Sequence, residues 1–204
     1  MLIARNGEVP RVHPEAKIAA SATIVGNVRV GTRAYVDHQA LVESSGPPID
    51  IGDQAVVFAG AVLRSVGGAS RPAFPVRVGS QALVSPLCVL TGCQVGAGCY
   101  VATGAVVLQG AAVGDHARIG AGAIVHAATV VPDHSRVGMR HIAVPTPQGF
   151  LSTADIETAR EAVAAGDFFA MAFDAADEDQ AGLHEQVLIT LLEEVHGWRD
   201  EPLT

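Results

Sequence analysis

The chain is poor in aromatic residues, at 4% of its 204 positions, poor in charge, at 17%, and holds a single lysine. A core with so few rings must be filled by Val, Ala, Ile and Leu. Hydrophobic residues reach 49%, which excludes disorder for most of the chain. No apolar run approaches the roughly 18 residues that a membrane-spanning helix needs. Met1 to Pro14 offer only Leu2-Ile3-Ala4 as an apolar stretch before Arg5, so no signal peptide is read there and a cytoplasmic protein is expected. G-x-S-x-G, the phosphate-binding loop and the dinucleotide fingerprint are all missing, and no cofactor is expected. Cys88, Cys93 and Cys99 are odd in number and lack CxxC spacing, so they read as free buried thiols rather than a disulfide framework or zinc knuckle.

The formal net charge of −8 is unevenly placed. Met1 to Gly149 carries 11 basic and 8 acidic residues, for +3, whereas Phe150 to Thr204 carries 2 and 13, for −11. An acidic chain with one lysine is a poor nucleic-acid binder, and neither nucleic acid nor membrane is expected as a partner.

What the chain has in abundance is a repeat. Val12, Ile18, Ile24, Val30, Val36 and Val42 are spaced by six; Ile51, Val57 and Leu63 resume the spacing; Val95, Val101, Val107, Val113, Ile119, Val125, Val131 and Val137 continue it without a break. Glycine, 22 residues in all, often follows the aliphatic, as in Val30-Gly31, Ile51-Gly52, Val78-Gly79 and Val113-Gly114. A period of six fits neither an α-helix, at about 3.6 residues per turn, nor simple strand alternation. Each hexapeptide reads as a short strand plus a turn, its aliphatic pointing into a narrow interior and its glycine allowing the turn conformation. Three units per coil make an all-β solenoid, a left-handed parallel β-helix, over residues 1–147. Two interruptions, around Ser44 to Pro48 and from Ser65 to Pro75, read as loops, the second protruding. Residues 148–204 read as an acidic helical tail. One helix is capped by Ser152 or Thr153 and runs to about Ala165 before Gly166. A second spans about Glu178 to His196, with Leu183, Val187, Leu188, Leu191, Leu192 and Val195 on one face; Phe168, Phe169 and Trp198 read as packing residues.

The segment Glu43-Ser44-Ser45-Gly46-Pro47-Pro48-Ile49-Asp50-Ile51-Gly52, with Gly60-Ala61-Val62-Leu63, Thr91-Gly92-Cys93-Gln94-Val95-Gly96, Cys99 and Gly104-Ala105-Val106-Val107-Leu108-Gln109-Gly110, resembles the γ-class carbonic anhydrases and their relatives from about Gly7 to Pro145. The resemblance implies a homotrimer with clefts between subunits and, in active members, a zinc ion held by three histidines from two neighbouring subunits, where an open site lowers the pKa of bound water to about 7. Here Arg64, Pro86 and Thr91 occupy the three ligand positions, and none of them can serve. The family's Arg-Gly-Asp reads Glu43-Ser44-Ser45, and its Gln-Asp pair before Gly60 reads Phe58-Ala59. The expectation is a trimeric protein without metal or CO2 hydratase activity, serving as a binding or structural subunit.

Candidate site residues are Arg64, Glu43, Thr91 and His38. An alternative is an enzyme with a repurposed subunit-interface cleft, in which Arg64, Glu43 and Thr91 act on a small anionic substrate; otherwise Arg64 pairs with Glu43, and the opposite charge changes at the two positions favour the pair. His38, in Val36-Asp37-His38-Gln39, is the candidate general base for a hexapeptide acyltransferase, although Asp37, on the opposite strand face, is a doubtful orienting partner. His116 and His134 are expected to stack on adjacent coils as exposed turn residues. Thr91, Leu108 and His126 should share one edge of the prism.

Overall fold

The computed structural model describes residues 1–68, 71–163 and 180–203, with the backbone alone over 180–186. It is a left-handed parallel β-helix of about eight turns. Face 1 begins with Leu2–Arg5, face 2 with Arg11–Val12 and face 3 with Lys17–Ile18, and each later coil adds one strand to each face. Parallel strands need a long connection, and the other two faces of each coil supply it. Val106, for example, pairs with Ile124, three hexapeptides on.

The interior has two columns per face. The large aliphatics of the repeat, among them Val36, Val42, Val57, Leu63, Val107 and Val125, are fully buried, and the residue two positions earlier is small and also buried: Ala34, Ala40, Ala55, Ala61, Ala105, Ala123. Cys88, Cys93 and Cys99 stand at that small position before Leu90, Val95 and Val101, so the thiols are alanine substitutes in the core.

The glycines after the aliphatics do not supply the turn conformation. Gly31, Gly52 and Gly79 lie outside the left-handed region, which is taken two residues later by Arg33, Gln54 and Gln81 at φ of 54°, 58° and 60°. Glycine is needed instead because adjacent coils touch there: a Cβ on Gly52 would sit 2.6 Å from the Ser80 amide nitrogen.

The segment expected as a protruding loop is a β-hairpin, Val66–Gly68 against Arg71–Phe74. The other interruption is fastened to its base, since the Ser45 hydroxyl donates to the Ser65 carbonyl at 2.6 Å. Beyond the last coil, Ile142–Thr146 pairs antiparallel with Gly149–Thr153, and at the opposite end of the same sheet Asp200–Pro202 pairs antiparallel with Leu2–Arg5.

Helix α1 spans Ile156–Val163 and helix α2 spans Gln180–His196. Asp155, not Ser152 or Thr153, caps α1: its carboxylate accepts from the amides of Glu157 and Thr158, while Ser152 and Thr153 belong to the preceding strand. The expectations for Ala165, Gly166, Phe168, Phe169, Glu178 and the Leu183 side chain fall outside the described residues. Among the described side chains of α2, Val187 is buried while Leu188, Leu192 and Val195 are about half exposed.

Candidate functional site

Glu43, Arg64 and Thr91 are direct neighbours on successive strands of face 1, at its edge with face 2. They stand beside a cleft of about 390 Å³, lined by Arg64 and Thr91 together with Ser45, Ser65, Gln109, Arg71 and, from the tail, Leu191, Glu194, Val195 and Trp198. Arg71 of the hairpin forms an ion pair with Glu194, which ties α2 to this edge.

The electrostatic centre beside the cleft is Arg5. Its guanidinium, with a side chain only 7% exposed, donates to Glu43 Oε1 at 2.7 Å and bidentately to Asp200, at 2.7 and 2.8 Å. It also lies 3.9 Å above the Trp198 ring, a cation–π contact. The hydrogen bond to Asp200, opposed by burial and reinforced by Glu43, holds the Arg5 pKa above its ordinary value; the same bond holds the Asp200 carboxyl below the usual carboxylate range.

The expected Arg64–Glu43 pair is present but is long and half exposed, and Arg5 is the closer partner of Glu43. Glu43 is largely buried, but its short contact is to Arg5; Arg64 Nε is 3.6 Å away and its side chain is 46% exposed. Arg64 also stands 5.9 Å from the Trp198 ring centroid and lines the cleft. Arg5, Asp200 and Trp198 were not singled out as site residues. Ile3 pairs with Val25 at a separation of 22 residues, not the 18 of the coils that follow, so the repeat spacing does not carry Arg5 to this edge.

His38 and Pro86 lie elsewhere, in the turns that join face 3 to face 1, across the face from Arg64 and Thr91. The His38 ring is held by Ser21, whose Oγ is 2.7 Å from Nδ1. Asp37, in the turn after the strand Tyr35–Val36, accepts from the His38 amide and the Tyr35 hydroxyl and does not orient the ring. These hydrogen bonds, the His38 amide first, lower the Asp37 pKa. His116 and His134 stack, with centroids 5.2 Å apart. Thr91, Leu108 and His126 follow aligned residues Leu90, Val107 and Val125, sharing one edge.

Zinc does not fit the positions that the resemblance assigns to it. Arg64 is a permanent cation, Pro86 has no side-chain donor, and Thr91 offers a neutral hydroxyl. Among the described residues no group of three or more His, Cys, Asp or Glu side chains could hold a metal ion.

No protein-family model matches the chain. Solved structures with the same fold include a putative acetyltransferase from Bacillus cereus, 22% identical over 78% of this chain and 86% of that one, with a TM-score of 0.57. A hexapeptide transferase family protein from Anaplasma phagocytophilum is 20% identical over 78% and 92%, also at 0.57. LpxA from Acinetobacter baumannii is 13% identical over 90% and 87%, at 0.50. The chain therefore has the fold of the hexapeptide-repeat left-handed β-helix proteins. The likeness does not extend to the γ-carbonic anhydrase resemblance. Among the described residues no helix is long and apolar enough to cross a membrane.

Proposed function

We propose that this is a cytoplasmic, homotrimeric protein on a γ-carbonic anhydrase-like scaffold that binds a small anion in the cleft beside Arg64 and does not hydrate CO2. Residues 1–147 are the scaffold domain and residues 148–204 the tail, of which Leu191, Glu194, Val195 and Trp198 line the cleft. The observation that carries this reading is the division of labour between the two arginines. Arg5 takes the short contacts of Glu43 and Asp200, and Arg71 pairs with Glu194, leaving Arg64 half exposed with one long contact to Glu43 and with Thr91, Gln109, Ser45 and Ser65 around the cleft. A guanidinium fork in such surroundings suits a carboxylate or similar anion.

The trimer is supported by apolar surface at both edges of face 1. Leu87, 64% exposed, marks the edge with face 3, while the half-exposed Leu188, Leu192 and Val195 of α2 project near the other edge. Two unlike patches on opposite edges suit a head-to-tail contact that closes into a ring.

Thermal shift with a panel of small carboxylates, alongside metal analysis and a CO2 hydration assay, tests the proposal. Stabilisation lost in Arg64→Gln, with no zinc and no hydration, is expected. One zinc per chain with hydration, or a ligand response indifferent to Arg64→Gln, refutes it. A second reading, acyl transfer, draws on the transferase names of the solved structures and on the hydroxyl-held imidazole of His38. Stabilisation by acyl-CoA that is lost in His38→Ala would select that reading.

A further inference from the structure

Away from the cleft, the last coils gather two arginines and two histidines at the edge between faces 2 and 3. Arg118 and Arg136 are directly opposed on neighbouring strands of face 3, about 4.8 Å apart along the hydrogen-bonding direction. Like charges in that arrangement repel, and among the described residues neither arginine has an acidic partner within ion-pair distance. His116 and His134 occupy the preceding turns with their rings stacked, the planes inclined by 12°. All four side chains, with Ser135, line one concavity of about 530 Å³. Asp115 and Asp133, next in sequence to the histidines, lie along the neighbouring groove of face 2, with one oxygen each taken by a backbone amide, of Ala97 and Asp115 respectively.

We propose that this corner binds a phosphoryl group. Two guanidinium forks and two imidazoles, stacked in two tiers, present donors at two heights. A tetrahedral dianion, with its several acceptor oxygens, meets both tiers, whereas a flat carboxylate engages one fork. An anion between the arginines also removes the repulsion of the empty arrangement. The phosphoryl group comes either as free phosphate or as part of a nucleotide. The outward-facing ladder continues from Arg118 to Tyr100, whose exposed ring lies one coil away and offers a stacking surface for a base.

The test follows the imidazole Cε1–H resonances of His116 and His134, identified through His116→Gln and His134→Gln, in full-length protein at fixed neutral pH. Inorganic phosphate is titrated against sodium chloride of matched ionic strength. Saturable shifts of both resonances are expected with phosphate and not chloride, with half-saturation raised about tenfold or more in Arg118→Gln/Arg136→Gln. Arg118→Gln alone serves the same comparison if the double variant does not fold. Shifts reproduced by chloride, or half-saturation unchanged by loss of the arginines, overturn the proposal. AMP binding more tightly than phosphate, and falling back to the phosphate level in Tyr100→Ala, identifies a nucleotide; equal binding identifies the free anion.

Discussion

Removing Arg5 exposes the logic of the charge cluster. Its side chain is 7% exposed and that of Glu43 is 14% exposed, so Arg5→Ala leaves a largely buried carboxylate whose remaining cation, Arg64, stands off at 3.6 Å. Breaking a buried pair from one side costs roughly 3–5 kcal/mol. The partial exposure of Glu43 places the cost near the lower end, about 3 kcal/mol, and Glu43→Ala should cost a similar amount. Arg64→Ala removes only a long contact to a half-exposed group and should cost about 0–1 kcal/mol. For a chain of this size each kcal/mol moves the midpoint by about 2–4 °C. Arg5→Ala and Glu43→Ala should then each lower Tm by about 6–12 °C, with a smaller fall for Arg64→Ala. The Arg5→Ala/Glu43→Ala protein should lose clearly less than the sum of its parts. Circular dichroism melts of the four variants supply the comparison. Equal losses for Arg5→Ala and Arg64→Ala, or strict additivity of Arg5 and Glu43, would refute the assignment of Arg5 as the principal partner of Glu43.

Three further outcomes are expected. The depressed Asp200 pKa means that its pairing with Arg5 stabilises fully above the unfolded carboxylate value, about 3.9, and loses that contribution as pH falls through the lower folded value. Fluorescence of Trp198, the sole tryptophan, should hold steady down to about pH 4 and change below it; a transition near pH 6 would contradict this. Burial pushes the Cys93 thiol up to about 12 and raises those of Cys88 and Cys99 as well, so a thiol reagent at pH 8 should label none of them in the native protein and all three after denaturation; native labelling would show the core opening. Gly52→Ala should destabilise by about 1–3 kcal/mol through overpacking against Ser80, and a urea midpoint equal to the parent's would remove the close-approach explanation.

The solenoid was legible because its determinant is local. A buried aliphatic every six residues can be counted without knowing what it touches, and the cysteine spacing of five and then six follows that of Leu90, Val95 and Val101, each two residues after a cysteine. The glycine role was misread because the relevant contact is with the next coil, and the sequence suggests only the familiar turn explanation. The hairpin at Val66 to Phe74 was hidden by its glycines and prolines, which punctuate a tight two-stranded insertion much as they do a loop. At the candidate site, Glu43, Arg64 and Thr91 came together as coil register required. Arg5 and Asp200 did not enter the reading, since their meeting depends on the tail returning across nearly the whole length of the chain.

The two antiparallel strands at the ends of face 1 bear on polymerisation. A parallel solenoid has no intrinsic length: its last coil offers the same row of amides and carbonyls that its interior coils use to bind one another, and a second molecule could continue the ladder into a fibre. Here the terminal strand at one end of this sheet is Asp200–Pro202, which carries two acids and a proline without a donor. At the other end it is Gly149–Thr153, with α1 packed against the hairpin. Charge, a missing N–H and a covering helix are the means by which exposed strand edges are kept from templating more strands. The face bearing the outward ladder Leu41, Val62, Val89, Val106 and Ile124 is thereby open to sideways association and closed to lengthwise growth.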